Sequence, residues 1–116
     1  MKYIALLLGS YLSFVAGFEG AYESFRNDPI ETFNFEPNSK TVLISLRDSQ
    51  VTLKAAYNQD QQKVSLTLGR MDLEYLKQKF PDLVDDSTFD DVILLSNANS
   101  IIVKYKDGIT KLYSGS

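Results

Sequence analysis

The sequence predicts an α+β fold of strongly β-rich character: an antiparallel meander, stacked as a sandwich or partly closed as a barrel, with one helix near residues 72–80. Three observations carry that prediction. From residue 31 onward, short segments alternate apolar and polar residues, the period of a strand with one face buried. The segments are joined by short polar connections, which set consecutive strands side by side and antiparallel. A spacing of three and four residues between apolar positions replaces the alternation just after Gly69.

The elements follow in order. Lys2 precedes sixteen uncharged residues, Tyr3–Phe18, and Val15-Ala16-Gly17 puts small residues at the positions a signal peptidase reads. Residues 1–17 are therefore expected to be a signal peptide and 18–116 a single β-rich domain. The run is short for a membrane span, because it stops at Glu19. A competing reading comes from Tyr11, Phe14, Phe18, Tyr22 and Phe25, whose spacing makes residues 3–27 an amphipathic core helix.

Asn27-Asp28-Pro29 is a turn. Glu31–Glu36 alternates around Phe33 and Phe35, and Thr41–Arg47 around Val42, Ile44 and Leu46. Val51, Leu53, Ala55 and Tyr57 form the inner face of the next strand, and Asn58–Gln62 loops to Val64, Leu66 and Leu68. Asp72 is the expected N-cap of the helix, Leu73, Leu76 and Phe80 its apolar face, and Pro81 its stop. An acidic loop, 85–91, leads to Val92–Leu95, an unbroken apolar run expected to be covered on both faces. Ile101, Val103 and Tyr105 alternate in the next strand, Asp107-Gly108 favours a type I′ turn, and Ile109–Tyr113 returns.

Composition limits the chemistry. There is no cysteine and no histidine, which removes thiol catalysis, thiolate metal sites, the commonest general base and the commonest metal ligand. No catalytic motif stands in their place, so the chain reads as a non-enzyme. The net charge of −3 argues against nucleic acid and anionic membranes, which need clustered Lys and Arg. A protein partner fits better, and cleavage of residues 1–17 would leave no stable membrane insertion. Oligomeric state is left open.

Two groups of residues stand out. Between 72 and 91, seven carboxylates face only Lys77 and Lys79. Asp82, Asp85, Asp86, Asp90 and Asp91 are the nearest approach to a calcium site, although their spacing is not that of an EF-hand. The ordinary reading is a solvated acidic loop, with no cofactor. Tyr57, Tyr105 and Tyr113 fall near strand ends, where amphipathic rings serve partner-binding faces or close the rim of a sheet. Lys104, Lys106 and Lys111 add a small basic patch on the last hairpin. Together these point to a secreted or periplasmic protein-binding module, such as an inhibitor or surface-interaction protein. An intracellular α+β adaptor, with residues 3–27 as its helix, is the alternative, and a small enzyme comes third.

Overall fold

The computed structural model describes residues 20–24, 28–47, 49–95 and 99–115. The expected signal peptide and its cleavage point lie outside them. Eight antiparallel strands run in chain order around a closed barrel: β1 (Gly20–Glu23), β2 (Ile30–Glu36), β3 (Thr41–Leu46), β4 (Thr52–Asp60), β5 (Lys63–Leu68), β6 (Val92–Leu94), β7 (Ser100–Lys104) and β8 (Thr110–Gly115). One helix, α1 (Arg70–Lys79), interrupts the meander between β5 and β6. The barrel closes where β1 meets β8, Tyr22 opposite Gly115 and Glu23 opposite Ser114.

The alternation read from the sequence becomes the inside and outside of the barrel. Val42, Ile44, Leu46, Leu53, Ala55, Tyr57, Val64, Leu66, Ile101 and Val103 are buried, while their neighbours Thr52, Lys54, Ala56, Asn58 and Lys104 face solvent. That polarity is the reverse of a barrel whose wall faces lipid. In β2 the register shifts between Ile30 and Thr32. The bulge absorbs Glu31, so that Ile30 and Phe33, an odd number of residues apart, both point inward.

Side chains fill the interior. Phe33 meets the edge of Tyr113 at 4.9 Å between ring centroids, Phe35 meets Tyr57 at 5.1 Å and Tyr22 at 5.6 Å. Barrels of eight strands are either packed solid or hold one small ligand, and here the described inward-facing side chains form one continuous buried cluster. The turns at 37–40 and 61–62 define one end. At the other, α1 lies across the opening with Leu76 fully buried and Leu73 and Phe80 packed against the core. Phe89, in the connection that follows, is also buried and accepts a main-chain hydrogen bond from Leu66 (2.8 Å). It continues the barrel wall where β6 is too short to pair.

Several expectations are corrected. Residues 20–23 are a strand paired on both sides, so a single helix over 3–27 does not form: backbone pairing with β2 and β8 overrides the aromatic spacing at Tyr22. Gly69, not Asp72, precedes the helix, and Asp72 sits inside its first turn, where a carboxylate suits the dipole. β6 is covered on one face only, for Ile93 is 40% exposed. The last hairpin is wider than a type I′ turn. Gly108 alone takes a positive φ, 86°, among the described residues of that turn, and Tyr105 N–H reaches Ile109 O (3.0 Å) around a three-residue loop.

Candidate functional site

The most concentrated polar chemistry lies at the helix-covered end of the barrel. Asp28 stands just before β2, its side chain only 4% exposed, and pairs with Lys111 Nζ at 3.3 Å. Lys111 lies two residues from buried Tyr113 in β8 and so faces inward at the barrel mouth. The Ser24 hydroxyl donates to Asp28 Oδ2. Arg47, at the end of β3, donates through Nε to the Asp28 carbonyl (3.1 Å) and through Nη2 to the Ser24 carbonyl (3.0 Å), and approaches Glu31 at 3.8 Å. Two strand ends and the start of a third are thereby laced together at one buried residue, Asp28, through its carboxylate and its main-chain carbonyl.

Beneath this cluster the Tyr105 and Tyr113 hydroxyls share a 2.7 Å hydrogen bond. Burial pushes both phenols well above the ordinary tyrosine range; proximity to Tyr113 reinforces the shift at Tyr105, and the Asp28 charge adds to both. Tyr22 is pushed up to about 12 by burial and then by Tyr57. These phenols stay protonated at neutral pH and serve as hydrogen-bonding core residues, with no drive toward general-base or nucleophilic chemistry. Among the described residues no buried side-chain polar atom lacks a partner. The cluster closes on itself, as a structural seal does.

The tyrosines singled out from sequence are therefore relocated. Tyr57, Tyr105 and Tyr113 are buried core residues, neither exposed on a binding face nor lining a rim with wet hydroxyls. Tyr105 follows the last residue of β7 and Tyr113 lies two residues from the end of β8, whereas Tyr57 sits in the middle of β4. The three lysines do not form one patch. Lys111 is committed to Asp28, Lys106 Nζ reaches the Pro81 carbonyl (3.2 Å), and Lys104 projects from the outer wall of β7.

The five aspartates are likewise dispersed. Asp85 Oδ1 accepts from Ser87 N–H, Ser87 Oγ and Thr88 Oγ1, and these donors hold its carboxyl below the usual range, the Ser87 N–H foremost. Asp86 pairs with Lys77 at 2.8 Å and Asp91 with Lys63 at 2.7 Å. Asp82 and Asp90 are exposed. No three carboxylates converge on a metal position among the described residues.

What sequence reading missed lies on the outer wall. Register sets Ile93 of β6 opposite Ile102 of β7, and Ile102 opposite Leu112 of β8. Neighbouring strands lie roughly 4.8 Å apart, so the three side chains form a continuous apolar row across the barrel surface. Ile93 is 40% and Leu112 54% exposed. Lys63 of β5 continues the row beyond Ile93, and Lys104 lies on the same outer face two residues from Ile102. The only signal in the sequence was an excess of apolar residues at outward positions, visible once the register is known.

No protein family, curated protein or solved structure matches this chain.

Proposed function

We propose that this protein is a non-enzymatic protein-binding module that works outside the cytoplasm. The observation that carries the reading is the Ile93–Ile102–Leu112 row outside a barrel whose described inner face is a cluster of buried side chains. With the inner face committed to that core, the reading places recognition on the surface. Apolar side chains set side by side on a mostly polar wall mark a protein contact, since their burial against a partner removes them from water. Lys104 beside the row favours a partner with acidic residues around its own apolar patch. The extracytoplasmic setting rests on the signal-like residues 1–17, and β1 begins at Gly20, so cleavage before Phe18 leaves every strand whole.

The test compares the wild-type protein with the double variant Ile102→Thr and Leu112→Thr, each immobilised and offered the extracytoplasmic fraction of the native host. Both substitutions place a β-branched residue of good strand propensity at an outward-facing position, so melting should be unchanged. The reading requires a protein retained by the wild type and lost by the variant. Identical retention by both would refute the surface. Uncleaved chain in the soluble cytosol would refute the location.

A further inference from the structure

We infer that α1 carries a self-complementary groove through which two copies of this chain pair. The groove, about 340 Å³, is lined by Arg70, Met71, Glu74, Tyr75 and Gln78. Those five residues are two adjacent ridges of one helix. Arg70, Glu74 and Gln78 follow one another at intervals of four, and Met71 and Tyr75 form the parallel ridge beside them. Together the two ridges present one exposed face with a furrow along it. The opposite face of α1, with Leu76, is already spent on the barrel.

The apolar ridge of this face is suited to meet its own copy. Met71 is 86% exposed and Tyr75 37%, an unusual pair of apolar anchors on a solvent face. Tyr75 is held in place by Lys79, whose Nζ lies 5.6 Å from its ring centroid. Under a two-fold axis the 71–75 ridge of one copy runs antiparallel to that of the other, so each Met71 thioether meets the partner's Tyr75 ring.

Charge selects a second copy over an unrelated partner. Arg70 and Glu74 have opposite signs one helical turn apart on the outer ridge. Rotation about the two-fold axis sets each Arg70 against the other copy's Glu74. The axis that pairs 70 with 74 passes at the level of residue 72, and that pairing 71 with 75 at the level of residue 73. An axis midway is off by half a residue for each, about 0.75 Å of rise. Both contacts are therefore made at once. Glu74 also meets Lys77 at 3.2 Å within its own helix, but Lys77 retains Asp86 at 2.8 Å when Glu74 turns to the partner. A ten-residue helix buries less than a standard interface, so the pairing is weak, with dissociation in the range of about 10 μM to 1 mM.

Sedimentation equilibrium of the purified protein across that concentration range tests the proposal. The expected result is a mass that rises from monomer toward dimer. Arg70→Glu and Glu74→Arg, made singly, each turn two attractions into two repulsions and should weaken association about tenfold. The double variant R70E/E74R exchanges the charges and should restore it. Both positions are on the surface, so thermal melting serves as the control for folding. A monomer at every concentration, single reversals without effect, or a double variant that stays dissociated would each overturn the proposal.

Discussion

Replacing Lys111 with methionine should destabilise the fold more than replacing its partner Asp28 with asparagine, although both break the same pair. At 3.3 Å and an effective dielectric constant near 20, the direct attraction is about 5 kcal/mol. Part of it is offset by the desolvation of both groups and by the 24% exposure of the Lys111 side chain. Lys111→Met leaves a carboxylate that is 4% exposed, with the Ser24 hydroxyl as its remaining side-chain partner among the described residues. The expected cost is about 3 kcal/mol, the signature of an uncompensated buried charge. Asp28→Asn keeps an acceptor for Ser24 and frees an ammonium that can extend into water, at a cost of about 1 kcal/mol. The double variant should resemble Asp28→Asn alone, because the stranded carboxylate is gone. Urea unfolding with a common slope measures all three. Equal costs for the two single variants, or a Lys111→Met cost below about 1 kcal/mol, would refute the view that Asp28 is a buried charge neutralised mainly by Lys111.

Alkaline unfolding and truncation at the helix test two other parts of the fold. Tyr22, Tyr105 and Tyr113 hold their protons more tightly in the fold than the ordinary value near 10. The folded state therefore binds more protons above that pH; stability is intact below pH 10 and falls as pH rises through the folded values. Each phenol contributes a slope of about 1.4 kcal/mol per pH unit, and urea midpoints at pH 9, 10 and 11 should flatten in Tyr22→Phe. An unchanged slope in that variant would show that Tyr22 does not contribute. Leu76→Ala removes the fully buried side chain that anchors α1 to the barrel end, with an expected cost of about 2–4 kcal/mol. Amide exchange should rise over 70–79 before it rises in the strands, and a cost under about 1 kcal/mol would mean the helix is held by other contacts.

Local pattern made most strands readable. Val42, Ile44 and Leu46, or Val64 and Leu66, announce a half-buried strand because side chains alternate about the backbone whatever the strand pairs with. The helix was readable for a similar reason: Leu73, Leu76 and Phe80 mark one face over about two turns. The N-terminal strand was not. Gly20–Glu23 has four residues and no alternation of its own, and it is a strand because β2 and β8 lie on either side. Ile30 was outside the expected strand because a bulge, not a repeat, turns it inward.

The candidate site shows the same division more sharply. Carboxylates were conspicuous in 82–91, where lysines and hydroxyls nearby in the fold engage Asp85, Asp86 and Asp91 one at a time. The carboxylate with a special environment was Asp28, which stood in an ordinary Asn-Asp-Pro turn. Its partner Lys111 comes from a strand distant in sequence, so no spacing could reveal it.

By itself the sequence determined that the chain would bury alternating residues in an antiparallel meander, because period and turn chemistry act over a few residues. Only the tertiary structure decided that the meander closes, that its tyrosines face inward, and that Ile93, Ile102 and Leu112 stand in line outside. Those outcomes depend on register and on the meeting of β1 with β8 from opposite ends of the chain. Such contacts are set by packing the whole core at once, and no local stretch encodes them.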